Sequence, residues 1–269
     1  MKIIDPLYQL PTITALSAQE VLESGTTKPV VIFGTDGTTT SIGSYIVKPR
    51  GNGRMIGAAS MRELLASFIA SQLGILVPDP AIINVSGDFI ESTRHTPNYP
   101  YFVNSSGNNF GSKNIEGLIS VTEDHDTFKR FYHSLLRVLV FDIFISTSDR
   151  RTQKPNMSFR NNDIYVYDHE LSFSFVFDIS PNIEPWVISD GDRTAIEGHI
   201  LYNYFRGKEL DCDSFIDSFS KLNDDFWIKA KDLIPTDLYD DQFEVIKNNL
   251  NSKIQNLNIY RDEIKKVLI

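Results

Sequence analysis

The sequence predicts an α+β fold in which sheet precedes helix. Residues 29–33 and 44–48 are short apolar runs of β character on either side of a small, polar, glycine-containing stretch, which is a hairpin signal. The C-terminal third instead carries helical periodicity, with Phe243, Ile246, Leu250, Ile254 and Leu257 at 3/4 spacing. With 269 residues, of which 41% are hydrophobic and 23% charged, the chain can bury a sizeable core. Collagen-like, coiled-coil-array and wholly disordered readings are excluded.

Taken in order, Ser17-Ala18-Gln19-Glu20 has capping-box spacing and predicts a short helix ending near Gly25. A strand over 29–33 follows, then the polar loop from Gly34 to Gly43, then a strand over 44–48 closed by Pro49. Ser60-Met61-Arg62-Glu63 is a second capping box, and Leu64, Leu65, Phe68, Ile69 and Leu73 continue it as a helix that Gly74 ends. Residues 81–85 read as a strand and residues 92–115 as a polar loop, the best candidate for a boundary between two parts. A helical stretch is predicted over 126–146, and a strand over 164–167 runs into Asp168. The stripe beginning at Phe243 is a core-packing face.

Charge narrows the function. Lysine and arginine total 26 against 35 acids, a formal net charge of −9. This balance disfavours broad binding to nucleic acid or an anionic membrane. The apolar stretch 135–146 is interrupted by Arg137 and Asp142 and is shorter than the ~20 residues a bilayer span requires. Asp5 and Pro6 interrupt any secretory h-region, so a cytoplasmic location is expected. The single cysteine, Cys212, builds neither an intramolecular disulfide nor a cysteine-rich zinc site. There is no H-E-x-x-H, no G-x-S-x-G and no Walker G-K-[ST].

Four features are weak singly and informative in order. They are the glycine-containing loop 34–43; Lys48 at a strand end; Glu63 on the next helix; and Asp149 followed by Asn156 and then by Asp168 at another strand end. A strand-end lysine usually reaches solvent, Glu63 is equally the N3 member of a capping box, and a loop acid is normally a cap. The order loop, lysine, glutamate, aspartate, asparagine, aspartate is the one used by protein-kinase-like phosphotransferases. Backbone N–H groups of a glycine loop can approach phosphates, and a lysine held by a glutamate neutralises them. An asparagine and an aspartate offer the hard oxygens Mg²⁺ prefers, and a separate aspartate orients the accepting hydroxyl.

Several stretches together resemble the HipA-like kinases, within the wider protein-kinase and phosphoinositide-kinase-like fold. They are Tyr45-Ile46-Val47-Lys48-Pro49, residues 62–70 with 73–78, Phe110-Gly111-Ser112-Lys113, Ser148-Asp149-Arg150-Arg151 with Asn156, Tyr167-Asp168-His169-Glu170 and Ile234-Pro235. The similarity runs from about residue 12 to residue 265. It implies a two-lobed kinase-like fold, with a small sheet-containing N-lobe over 1–103 and a mainly helical C-lobe over 104–269. ATP and Mg²⁺ would bind between them. Lys48 would contact ATP phosphates with Glu63 as its partner, Asp149 would be the catalytic base, and Asn156 and Asp168 would hold Mg²⁺. The phosphate loop would use Gly34, Gly37, Thr38, Thr39, Thr40 and Ser41, with Phe110 and Gly111 near adenine. The implied activity is phosphorylation of a Ser or Thr hydroxyl on a protein, in a bacterial stress or toxin–antitoxin setting with an antitoxin partner.

The chain departs from the kinase pattern in three places. Asn156 lies seven residues after Asp149 where about five is usual. His169 and Glu170 replace the phenylalanine and glycine of Asp-Phe-Gly, and the loop has no G-x-G-x-x-G. Small-molecule or lipid phosphorylation shares the same parts, and a pseudokinase is the reading the long spacing favours. The hydroxyls of Thr38–Ser41 suggest autophosphorylation of the loop; a loop that only supplies hydrogen bonds is the competing account.

Overall fold

The computed structural model describes residues 2–22, 26–38, 41–178 and 184–269. A closed five-stranded barrel, ordered β1-β2-β3-β5-β4, is built from β1 (Thr12–Val21), β2 (Val30–Thr35), β3 (Gly43–Lys48), β4 (Pro80–Val85) and β5 (Gly107–Lys113). The helix α1 (Gly57–Leu73) lies between β3 and β4 in sequence, and the short helices α2 (Gly87–Thr93) and α3 (Tyr99–Phe102) between β4 and β5. Ile13, Val30, Ile32, Val47, Ile83 and Phe102 fill the barrel interior.

A small sheet follows, made of β6 (Ile119–Ser120), β7 (Met157–Arg160) and β8 (Asp163–Val166), with α4 (His125–Arg130) and α5 (Tyr132–Phe144) inserted after β6. The rest is helical: α6 (Asp190–Glu197), α7 (Tyr202–Phe205), α8 (Asp213–Asp217), α9 (Asp224–Leu233), α10 (Gln242–Gln255) and α11 (Leu257–Leu268). One large core joins these helices to α1 and α5; Phe68, Phe141, Phe144, Trp227 and Phe243 lie in it. Phe243, Ile246 and Leu250 are buried, as the stripe predicts. The chain is therefore a mixed α+β fold with a sheet-rich N-terminal part and a helical C-terminal part. Among the described residues, no helix is long and apolar enough to cross a membrane.

Four expectations change. The helix over 17–25 is a strand as far as Val21, and its expected end near Gly25 lies outside the described residues. Ile13 and Ala15 face the barrel while Thr14 and Leu16 face out, and β1 pairs with β2 on one side and β4 on the other. Over the misread segment Ser17, Ala18 and Val21 pair with β2, and that ladder outweighs one local cap. The second capping box also fails as a cap: α1 starts earlier, at Gly57, with no side-chain cap on Ile56. Its end at Gly74, in left-handed backbone with φ 76°, is as predicted. The stretch 126–146 divides at Phe131 into α4 and α5.

The polar run 92–115 is not a linker, because it contains the barrel strand β5 between β3 and β4. Its small residues are required there. A Cβ on Gly111 would collide with Ile83 Cγ1 and lie 2.8 Å from the Ile46 carbonyl oxygen. Gly111→Ala is accordingly expected to destabilise the protein by about 1–3 kcal/mol, measured by chemical denaturation, because the backbone carbonyl cannot step aside.

Candidate active site

Lys48 ends β3 with its ammonium buried against three carboxylates. Nζ donates to Glu63 Oε1, to Asp168 Oδ1 and, at 2.6 Å, to Glu170 Oε2. Glu63 reaches it from α1, a helix so apolar that the carboxylate is 1% exposed. The other Glu63 oxygen accepts the backbone N–H of His169 at 2.9 Å. One side chain of α1 thus ties the strand lysine to the segment carrying Asp168. The expectation of a Lys48–Glu63 pair is met geometrically, and Glu63 caps nothing.

The β7–β8 hairpin brings Asn156 and Asp168 together. Met157 pairs with Val166, so the residues just outside the ladder face each other, and Tyr167 N–H donates to the Asn156 carbonyl at 3.1 Å. Both Asn156 and Asp168 hold left-handed backbone, with φ 46° and 66°, a region Asn and Asp enter more readily than most residues. Asn156 Nδ2 donates to Asp149 Oδ2 at 3.4 Å. The long Asp149–Asn156 spacing is absorbed by a tight turn in which Arg151 and Lys154 exchange backbone hydrogen bonds of 3.1 and 3.0 Å. Arg151, Thr152 and Gln153 protrude into solvent, and Asn156 stays beside Asp149.

Beneath this loop lies a buried ionic cluster. Arg150 and Asp142 are each 1% exposed and pair through two bonds, at 2.5 Å (Nε to Oδ2) and 3.2 Å (Nη2 to Oδ1). His199 Nε2 lies 3.0 Å from the same Asp142 oxygen that accepts from Arg150 Nε. Arg150 Nη1 also donates to the carbonyls of Pro155, at 3.3 Å, and Asn156. Arg150, next to Asp149, therefore fixes both ends of the loop to α5. Burial works against the Asp142 charge, but Arg150 and His199 outweigh it and hold the carboxyl at about 2.

The electrostatics separate the two site aspartates. Burial would raise Asp168, yet Lys48 and Lys154 hold it well below the usual carboxylate range. Asp149 is raised, first by burial and then by the negative charge of Asp168. Glu170 is raised mainly by burial. Burial also pushes His169 down to about 4, so its imidazole is neutral and adds no cation to the site. Burial lowers Lys48, but Asp168, Glu63 and Glu170 more than reverse this and keep it an ammonium.

A cavity of about 440 Å³ opens at this cluster. Its lining combines apolar Ile46, Val77, Phe110 and Val166 with Lys48, Glu63, Lys154, Asn156 and Asp168. Gly111 is not on the wall, because Ile83 fills the space beside it. The residues suit a hard cation. Ligand oxygens of Glu63, Asp168 and Glu170 lie within 4.8 Å of one another, and Asp149 Oδ1 is buried with no partner among the described residues. An all-oxygen donor set of this kind is the chemistry of Mg²⁺.

The expected phosphate loop requires a correction. Gly34, Gly37, Thr38 and Ser41 do not line the cavity, and Thr39 and Thr40 lie outside the described residues. Gly34 pairs with Gly43 at the far end of β3, about 16 Å of strand from Lys48 at 3.3 Å per residue. Gly34 instead permits close packing, since a Cβ there would lie 2.5 Å from Ile13 Cγ2 and 2.8 Å from the Thr14 carbonyl oxygen. The turn adjoining Lys48 is the preceding one, between β1 and β2. Val30 pairs with Val47, and Leu22 and Pro29 at the two ends of that turn line the cavity. Reading β1 as a helix moved the hairpin assignment along by one strand. Lys154 and Glu170 are further site residues that the motif order passed over.

Comparison with known proteins agrees with this geometry. The profile described as HipA-like kinase matches residues 16–257. The chain belongs to the HipA-like kinase family. Among solved structures, this HipA-like chain is similar to the Helicobacter pylori proinflammatory kinase CtkA, with a TM-score of 0.52 and 10% identity over 97% of this chain and 100% of that one. At that identity the likeness concerns the fold. The comparison with curated proteins found no match. Family membership makes the chain a kinase, a phosphotransferase of the class that uses ATP and a divalent metal.

Proposed function

We propose that this kinase is two-lobed and transfers the γ-phosphoryl group of ATP, with Mg²⁺, to a Ser or Thr hydroxyl of a protein. The observation that carries this reading is that Lys48, Asn156 and Asp168 line one cavity, with Asp149 held beside it by Asn156 and Lys154. Lys48 holds nucleotide phosphates and Glu63 holds Lys48. Asp168 and Asn156, with Glu170 close by, hold the metal, which when bound neutralises phosphate charge and aligns the triphosphate. Leu22 and Pro29, which follow β1 and precede β2, flank the phosphates, and Ile46, Val77 and Phe110 provide the apolar seat for the base. Asp149, raised by its surroundings, orients the accepting hydroxyl and receives its proton. Arg150 keeps Asp149 in place through Asp142.

The partners on this reading are a protein substrate and, for a toxin of a toxin–antitoxin pair, an antitoxin protein. Neither nucleic acid nor membrane is among them. Autophosphorylation on Thr38–Ser41 would not put charge on the nucleotide's phosphates, since the described part of that hairpin lies away from the cavity. Incubation with γ-labelled ATP, Mg²⁺ and a cell extract tests the activity. Wild type is expected to label protein Ser or Thr at least 10³-fold faster than Asp149→Ala or Asp168→Ala, a factor on the order of that for a transition-state group. Wild-type transfer no faster than both variants overturns the kinase reading, and label confined to lipid or small molecules overturns its substrate class.

A further inference from the structure

The apolar stripe of α10 is broken by a charge. The face that carries Phe243, Ile246 and Leu250 continues at the same 3/4 spacing with Lys253, and it is Lys253, not Ile254 beside it, that is buried. Its ammonium lies among the rings of Phe144, Phe175 and Tyr260, 5.9, 5.3 and 5.4 Å from their centroids. Among the described residues its hydrogen-bond partners are both uncharged, and no carboxylate pairs with it. Burial pulls the ammonium down to about 8, with Asp192 opposing, so it is still charged at neutral pH. An apolar side chain of similar length would occupy this seat without that penalty.

What the ammonium holds is the end of α5. Nζ donates to the Phe144 carbonyl at 2.8 Å and to Ser146 Oγ at 3.2 Å. A helix leaves its last carbonyls without partners and carries partial negative charge at that end, which suits a cation. Here the Phe141, Asp142 and Ile143 carbonyls accept from backbone N–H groups of residues 145–147, and that of Phe144 accepts from Lys253. The next two carbonyls, of Ile145 and Ser146, accept from the N–H groups of Phe173 and Ser174, at 2.7 and 3.2 Å. Ser146 sits in left-handed backbone with φ 52°, a conformation a serine keeps only where its neighbours hold it. Three residues further on is Asp149.

We propose that Lys253 is a positioning residue: reaching across from α10, it clamps the Phe144 carbonyl and the Ser146 hydroxyl and so sets where Asp149 stands against the accepting hydroxyl. The inference rests on the kinase reading of the site. Lys253 is not on the wall of the active-site cavity, so it touches neither nucleotide nor acceptor. The nucleotide's seats at Ile46, Lys48 and Phe110 belong to barrel strands and do not depend on the clamp. Loss of the clamp therefore slows transfer and leaves ATP binding alone.

The competing account is that Lys253 only packs α10 against α5. The rate of transfer from γ-labelled ATP to a fixed amount of cell extract, at varied ATP, compares wild type with Lys253→Met, Lys253→Arg and Ser146→Ala. Methionine suits the aromatic seat and leaves no carboxylate unpaired, so the urea midpoint of the Met variant is expected to stay near that of wild type. Its maximal rate is expected to fall about 10–100-fold with KM for ATP within about twofold of wild type, the scale of a small misplacement at the reacting centre. Amide hydrogen exchange over residues 145–150 is expected to quicken, with exchange in the barrel strands unchanged. Arginine keeps the charge and has room in the adjoining cavity beside Ser146 and Tyr260, so it is expected to restore most of the rate. Ser146→Ala removes only the second bond and is expected to lose less than the Met variant. A Met variant that slows only as far as its folded fraction falls, one that matches wild type in both rate and exchange, or one altered in KM alone overturns the proposal and leaves the kinase reading intact. Wild-type transfer no faster than that of Asp149→Ala overturns both. If the Met variant does not fold, Ser146→Ala decides: a folded Ala variant with wild-type rate and exchange overturns the proposal.

Discussion

Lys48→Met is expected to reduce phosphoryl transfer by about 10²–10³-fold, the scale seen when one preorganised charge is removed from a transition state. The same change is expected to cost about 3–5 kcal/mol of folding stability, as for other broken buried ion pairs. The reason is the company Lys48 keeps. Glu63 and Glu170 are each 1% exposed, and with Asp168 they place ligand oxygens within 4.8 Å of one another. Without the ammonium, Glu170, already raised, takes up a proton to limit the repulsion. The folded variant then binds more protons than the unfolded chain, so its stability falls as pH rises through the folded Glu170 value and recovers in mildly acid buffer. Urea titrations at two pH values check this. A variant as stable as wild type at both would contradict the account of Lys48 as the cluster's counter-charge.

The second large effect is expected at Asp142, which touches no part of the cavity chemistry. Asp142→Asn keeps the shape but leaves the Arg150 guanidinium buried without its charge partner, at a cost of about 3–5 kcal/mol. Because Arg150 also holds the Pro155 and Asn156 carbonyls, transfer activity is expected to fall with stability. The pH signature is distinct. The folded Asp142 carboxyl lies at about 2 against an ordinary 3.8, so its stabilisation is complete above 3.8 and is lost as pH falls toward 2. Acid unfolding of the Asn variant should lack that part of the transition. Chemical denaturation across the acid range measures both effects.

The parts of the site legible in the sequence were legible as an order. Lys48, Glu63, Asp149, Asn156 and Asp168 each have an ordinary structural use singly, and only their succession along the chain matched the parts of a phosphotransferase. The parts that were not legible depended on strand pairing. Glu20 in a sequence that spells a helix cap sits in β1 because the residues around it, Ser17, Ala18 and Val21, pair with β2. Asn108 and Asn109 in β5 look like loop residues, yet they pair with Asn84 and Ile83 of β4. The phosphate-loop error followed from the first of these, since one miscounted strand shifts every later hairpin. The spacing that looked defective between Asp149 and Asn156 became intelligible once residues 151–154 were seen to bulge outward. No alternation or periodicity marks a four-residue turn, and nothing in the sequence signals that its last side chain turns back inward.

Every residue of α1 except Gly57 and Ser71 is buried. The glutamate that sets the position of Lys48 and of the His169 backbone is therefore carried by a central beam of the molecule, with no free margin along which it could pivot. Helices that switch an enzyme by swinging need an exposed flank and a cheap alternative seat, and this one has neither. Catalytic competence and global folding should consequently be lost at one denaturant midpoint, with no inactive but folded intermediate between them. Control of this kinase would then fall to occupancy of the cavity mouth or to the amount of folded chain, rather than to an internal lever.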